Sequence, residues 1–247
     1  MLLQYVYEHP PLNPPPSRVG KPLCSLSTNN SELFFQLYYE WERIFVERFS
    51  VEEKILKLFE EAAQAALECG KKNASLISRM ARELIACFEQ GGKLLIFGNG
   101  GSAAHAQHFA AELVNKLAAY RKPLPAIAIN TDSSILTSIG NDLSFDDVFS
   151  RQIEALGNRG DVAWCLTTSG TSPNLIKACN KAREMGIFTI AFSGRDGGTI
   201  AKTTDLCLSI SLQDTARIQE VHLCAGHAIC ALVEEHFLTK AQNPKTV

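Results

Sequence analysis

The chain has 247 residues, 46% of them hydrophobic and 20% charged, with a formal net charge of −2 at pH 7. That length fits one large domain or a domain with an appendage, and the balance is that of an ordinary globular protein. A charge so near zero argues against a nucleic-acid surface built on bulk positive charge. No apolar run approaches the ~20 residues that cross a bilayer, and no basic segment leads into an apolar core as in a secretion signal. The eight cysteines (Cys24, Cys69, Cys87, Cys165, Cys179, Cys207, Cys224 and Cys230) form no C-x-x-C pair. They read as buried, reduced thiols of a cytoplasmic protein.

Residues 1–30 carry Pro10, Pro11, Pro14, Pro15, Pro16 and Pro22 without hydrophobic periodicity, and read as a flexible or extended segment. From Ser31 to Phe49 the i, i+3, i+4 spacing of Leu33, Phe34, Leu37, Tyr38, Trp41, Ile44 and Phe45 predicts an amphipathic helix. Its aromatics suit a partner surface, and residues 31–50 are expected to form an extra helix ahead of the main domain. A second helical pattern runs through Ile55, Leu58, Phe59, Ala62, Ala65 and Ala66. A third spans Ala74 to Glu89 and stops at Gly91-Gly92.

The pattern then changes. Strands are predicted at 93–97, 125–130, 161–167, 188–193 and 205–212, with helices near 102–118, 145–156, 172–185 and 215–238. Short apolar strands alternating with helices imply an α/β domain whose parallel sheet is covered on both faces. That domain is placed at 51–240, with a tail at 241–247.

Leu94-Leu95-Ile96-Phe97 runs into Gly98-Asn99-Gly100-Gly101 and a helix opening at Ser102. Glycines let the backbone approach a ligand, and a helix start offers unpaired N–H groups and partial positive charge, a combination that attracts phosphate. A second such junction follows, from Val162-Ala163-Trp164-Cys165-Leu166 into Thr167-Thr168-Ser169-Gly170-Thr171-Ser172, with Pro173 suited to the first turn of a helix. Ligands of open parallel sheets bind beyond the carboxyl ends of the strands, where both junctions fall. The loop also loosely fits the dinucleotide pattern G-x-G-x-x-A at Gly98, Gly100 and Ala103. However, the next acidic residue that would take a ribose, Asp132, comes too late, and the hydroxyl loop has no role in that scheme.

His105, His108 and Glu112 follow the first junction, with His108 and Glu112 one helical turn apart. On an arbitrary helix such a pair is a solvated face; after a phosphate loop it is a candidate for chemistry. The last helix carries Arg217-Ile218-Gln219-Glu220-Val221-His222 and His227 among core residues. Helix geometry pairs Glu220 with His227, seven residues apart, and sets Gln219 about 80° away. Glutamates and histidines near an anion site serve either as an acid–base pair or as metal ligands.

Together these segments resemble the sugar isomerase (SIS) family, most of all its phosphoheptose isomerases. The resemblance rests on Gly98–Ser102, His108-Phe109-Ala110-Ala111-Glu112-Leu113, Pro125–Ile129, Gly140-Asn141-Asp142, Thr167–Ser172, Gly194-Arg195-Asp196-Gly197-Gly198 and Arg217–Glu220. It implies a three-layer αβα sandwich on a five-stranded parallel sheet, preceded by N-terminal helices. It implies a cytoplasmic homotetramer with active sites between subunits, and no membrane or direct nucleic-acid partner. The implied reaction is aldose–ketose isomerisation of sedoheptulose 7-phosphate to D-glycero-D-manno-heptose 7-phosphate, for lipopolysaccharide heptose. By motif, Ser102, Thr167, Thr168, Ser169 and Ser172 hold phosphate, and Asn99, Gly100, Gly101, Asn141 and Asp142 line the sugar. Glu112 and His227 form the acid–base pair. His108, Glu112, Gln219 and His227 are the implied ligands of one zinc ion per subunit, Gln219 also meeting substrate.

A non-catalytic branch of the same fold binds the bacterial replication initiator, and Ala103-Ala104, Ala106-Gln107, Asn130-Thr131-Asp132 and Ala216 resemble it. That branch lacks the glutamate and the late histidine, both present here, which favours the enzyme. Thr167 stands where serine is common, Ala216 where an acid is usual, and His105 where an acid or amide is frequent; His105 thus either perturbs the local charge or adds a ligand.

Overall fold

The structure is a computed structural model that describes the backbone of residues 30–242 and the side chains of residues 50–242. The expectation of a flexible proline-rich segment falls on residues outside that range, apart from Asn30, and so do the aromatic side chains of 31–49. The chain divides into two units, residues 1–54 and 55–247.

The three helical patterns of the first third belong to one helix, α1, Asn30–Glu89. Gly70, the glycine within it, has open space around its Cα and costs a helix only about 1 kcal/mol. Gln64 and Lys72 both bond to Glu68, at 2.9 and 3.3 Å, and carry the helix through that region. α1 ends where Gly91 takes φ +80°, a left-handed turn that glycine adopts without strain.

Five strands follow: β1 (Leu94–Gly98), β2 (Ala126–Ala128), β3 (Val162–Leu166), β4 (Phe188–Gly194) and β5 (Leu206–Ile210). They form one parallel sheet of order β2-β1-β3-β4-β5, in which Leu94 is level with both Ala126 and Val162. Every residue of β1 and β3 is buried, as expected of strands covered on both faces.

The covering helices are α2 (Gly101–Val114), α3 (Ser133–Asp142), α4 (Ser150–Leu156), α5 (Pro173–Glu184), α6 (Ile200–Thr203) and α7 (Thr215–Gln242). On one face Leu94, Ile96, Trp164 and Phe192 pack against Met80 and Leu84 of α1, Phe109 of α2, and Ile218 and Ile229 of α7. On the other, Leu95, Phe97, Cys165 and Ala191 meet Ile153 of α4, Leu175 and Cys179 of α5, and Ile200 of α6. The result is the expected three-layer sandwich.

Some boundaries differ from the sequence reading. α2 stops at Val114 rather than 118, and the 145–156 segment divides into a 3-10 turn at Phe145–Asp147 and α4. Neither α3 nor α6 was anticipated. α3 buries no residue fully, and only Leu136 and Ile139 pack partly against the core; it is started by Asp132, which accepts from Ile135 N at 3.0 Å. The seven described cysteines are free thiols, five of them buried. No described helix is long and apolar enough to cross a membrane.

Candidate active site

β1 leads on one side to β2, and the chain then crosses to place β3 on the other side of β1. The strand order therefore reverses between β1 and β3, opening a crevice at their carboxyl ends. Both predicted anion loops lie there. Gly100, at φ +54°, turns the chain into α2, whose start has no side-chain cap and no acidic residue in its first turn. α5 likewise starts uncapped at Ser172, with Pro173 in its first turn and no acid there. Two helix starts without a side-chain cap thus meet at one crevice.

Ser102 is buried in the first turn of α2. Thr167 is also buried, and its hydroxyl accepts from Gly170 N at 3.2 Å, shaping the loop. Ser169 Oγ accepts from Thr171 N at 3.3 Å, and Thr168 and Ser172 are half-buried. Asn99 is half-buried and pairs with Asn174. Asn141 and Asp142 are exposed at the end of α3, where Asn141 Nδ2 donates to Asp142 at 2.7 Å.

Two supports of these loops escaped the sequence reading. Asn174, buried in α5, exchanges hydrogen bonds with Asn99, both at 3.0 Å, and so joins the two loops. Gly170, at φ +68°, lies so close to Gly197 that a Cβ would strike the Gly197 carbonyl. The paired glycines of 194–198 were the signal for that contact.

α2 and α7 run side by side in the same direction. Gln219 lies over Gly101, where an added Cβ would stand 2.6 Å from Gln219 Nε2. Further along, Gly226 receives the ring of Phe109 so closely that a Cβ would not fit. At the same level His108 Nε2 meets His227 Nε2 at 2.7 Å and Glu112 Oε1 at 3.6 Å. Donor atoms of His108, Glu112 and His227 all lie within 4.8 Å of one another, a set able to hold a cation. Two imidazole nitrogens and a carboxylate oxygen suit a borderline divalent metal, and the three residues are half-buried.

The pairing of Glu220 with His227 is corrected. Glu220 Oε1 binds Arg217 Nη2 at 2.6 Å, and it is Glu112, from the neighbouring helix, that joins His227. His105 lies outside the three-residue set. Burial is the main cause that lowers its pKa, with His108 and His227 adding to it, and its Nδ1 has no partner. His222 is the core histidine that its helix predicted, fully buried and donating from Nε2 to Ser193 O at 3.1 Å.

A doubly covered parallel sheet with glycine- and hydroxyl-rich loops at its switch point and an imidazole–carboxylate cluster on the neighbouring helices defines an α/β domain of the class that binds ligands at that point. The family model for the SIS domain matches residues 58–194, and the chain belongs to the SIS-domain family. Among its relatives, the phosphoheptose isomerase of Aquifex aeolicus is 48% identical over 183 residues, covering 74% of this chain and 96% of that protein. The solved phosphoheptose isomerase of Neisseria gonorrhoeae is 42% identical with a TM-score of 0.71, covering 75% of this chain and 99% of that one. That of Francisella tularensis is 35% identical with the same TM-score, 0.71, over 74% and 97% of the two chains.

Proposed function

We propose that the chain is an aldose–ketose isomerase that converts sedoheptulose 7-phosphate to D-glycero-D-manno-heptose 7-phosphate. The observation that carries this reading is the meeting of Glu112 and His227, from helices more than a hundred residues apart in sequence, beside two uncapped helix starts. Relatives named phosphoheptose isomerase, aligned over nearly their whole length, support the choice of sugar. His108 lies seven residues beyond Gly101 on α2, about 10 Å at 1.5 Å per residue. An open-chain sugar phosphate bridges such a gap, with its phosphate at the helix starts and its reacting carbons at the cluster.

The chemistry follows from these groups. The Glu112 carboxylate takes the proton from C1 as the C2 carbonyl oxygen gains one, and an enediol forms between C1 and C2. The proton is returned to C2 while the C1 hydroxyl loses its own and becomes the aldehyde. The His227 imidazole moves the hydroxyl protons. Asn99, Gly100, Gly101, Ser102, Thr167, Thr168, Ser169 and Ser172 hold and orient the phosphate and sugar, and that binding positions the reacting carbons. His108, Glu112, Gln219 and His227 are the proposed zinc ligands. A bound zinc would supply a Lewis acid for the sugar oxygens.

Asn141 and Asp142, paired with each other on the exposed α3, are proposed to line the sugar in a neighbouring subunit of a homotetramer. Support comes from apolar side chains left uncovered along α1 and at α3 and its C-terminal end, including Leu56, Phe59, Leu67, Ile135 and Leu143. Light scattering of the full chain measures the subunit number.

The test is isomerase turnover of sedoheptulose 7-phosphate by the zinc-supplemented protein. Wild-type turnover that falls about a thousandfold in both Glu112→Gln and His227→Ala is expected. A wild type that binds the sugar phosphate without converting it would overturn the reading in favour of a non-catalytic SIS protein.

A further inference from the structure

α2 and α7 touch at a third level beyond Gly101–Gln219 and His108–His227, and this one is held by buried charge. α2 ends at Val114 with no basic residue in its last turn, leaving carbonyls without helical partners. Arg121 turns back to them, donating from Nη2 to Glu112 O at 2.8 Å and from Nη1 to Leu113 O at 2.7 Å. A third bond, from Nη1 to Lys122 O at 3.1 Å, fixes the guanidinium in its own loop.

Across from it stands Glu234 of α7. Its carboxylate accepts from Leu117 N at 2.9 Å, Ala118 N at 2.8 Å and Ala119 N at 3.0 Å, and faces Arg121 Nε at 3.7 Å. The two side chains are 2% and 5% exposed. Burial alone would raise the Glu234 pKa, but the three backbone N–H groups and Arg121 outweigh it and hold it below the ordinary value.

Burying two charges costs desolvation that an apolar contact would not, so stability alone is a poor reason for this pair. Its placement gives a better one. The carbonyl that Arg121 Nη2 holds is that of Glu112. Glu234 lies two turns beyond His227, and seven residues bring it back to nearly the same face of α7. One end of the pair therefore grips the backbone of Glu112, and the other belongs to the helix of His227.

We infer that Arg121 and Glu234 are positioning residues of the site, fixing the end of α2 against α7 so that Glu112 and His227 are delivered at a set separation. This rests on the assignment of Glu112 and His227 proposed above. Displacements of under 1 Å in such a group matter for proton transfer and for metal ligation alike. The phosphate loops, hung on β1 and β3, lie outside the clamp.

The test uses the full chain with Arg121→Ala, Arg121→Lys, Glu234→Ala and Glu234→Gln. Turnover and KM are measured well below each variant's melting temperature, and cobalt(II) affinity is followed by absorption. The alanine variants are expected to lose at least about tenfold in kcat and in cobalt affinity, with KM changed less than about threefold. Arg121→Lys and Glu234→Gln are expected to recover part of both losses. If the alanine variants do not fold, those two conservative variants decide by the same readouts. Variants that melt lower yet keep wild-type kcat and cobalt affinity would overturn the inference and leave a structural clamp. If the wild type binds cobalt but does not isomerise the sugar, the functional reading fails, and the cobalt series alone decides the positioning role. A wild type that does neither overturns both.

Discussion

The carboxamides of Asn99 and Asn174 face each other and exchange hydrogen bonds, each donating to the other at 3.0 Å. Asn99 belongs to the glycine loop after β1, and Asn174 to the first turn of α5 after the hydroxyl loop of β3. The pair sets how closely two positively polarised helix starts approach one anion. Asn174→Ala leaves a half-buried amide unpaired, a cost of about 1 kcal/mol. Its main effect is expected on KM, raised about tenfold, with kcat within about threefold of wild type. Asn174→Asp places a carboxylate between the helix starts, where it competes with substrate phosphate, and is expected to raise KM further. Steady-state kinetics of the two variants check both outcomes.

Gly101 and Gly170 are predicted to separate activity from stability. An alanine Cβ at Gly101 meets the far end of the Gln219 side chain, 2.6 Å from Nε2 and 3.0 Å from Oε1. That side chain can swing away, so Gly101→Ala is expected to keep its melting temperature within a few degrees while losing activity to the same extent as Gln219→Ala. Gly170→Ala meets rigid backbone at Gly197 and imposes φ +68° on a residue with a side chain. It is expected to destabilise by roughly 1–3 kcal/mol or more. Denaturant melts and turnover measured on the same preparations distinguish the two.

These contacts also mark what the sequence carries on its surface and what it does not. β1 and β3 were legible because their residues are buried in unbroken apolar runs, and α7 because Ile218, Val221, Ala225, Ile229 and Val233 recur at helical spacing. α3 was not legible, because its core face is only the partly buried Leu136 and Ile139, too short a stripe to stand out as a period. The choice between Gln219 and Glu220 failed on helix angles alone, since the site is built by two helices. His227 finds its carboxylate on α2, and Arg217 claims Glu220. The Arg121–Glu234 pair joins residues 113 positions apart with no motif at either end. Such a pair becomes visible only once α2 and α7 are known to lie side by side. The phosphate loops were plain for the opposite reason: glycines, hydroxyls and a proline at a strand–helix junction have a local cause.

Cation binding is predicted to raise stability through the His108–Glu112–His227 set. The two imidazole nitrogens share a hydrogen bond at 2.7 Å, so an ion bound by both takes the place of that proton and moves the rings slightly apart. Zinc at a hundredfold excess over its Kd should add about 3 kcal/mol, a rise of several degrees in melting temperature. His108→Ala removes a ligand outside the proposed acid–base pair and is expected to abolish that rise. A thermal melt with zinc and with a chelator, on both proteins, reads the difference. An equal rise in the variant would place the bound metal elsewhere.

His222 is predicted to shape the acid limb of stability. It is fully buried, its Nε2 donates to the Ser193 carbonyl, and its Nδ1 has no partner. Burial is the main cause that lowers its pKa to about 4, against the favourable bond to Ser193 and with a smaller push from His105. The unfolded chain therefore takes up this proton near pH 6.5, while the folded one resists until about pH 4. Stability is complete above the unfolded value and is lost as pH falls through that window, by about 2 kcal/mol at pH 5 and about 3 kcal/mol at pH 4. His105 is shifted in the same direction and adds to the slope. Gln in place of His222 retains a donor for Ser193 O but cannot titrate. Urea melts of His222→Gln between pH 7 and 4 are expected to show a visibly flatter acid limb than wild type. A limb of unchanged steepness would assign the acid sensitivity to groups other than this histidine.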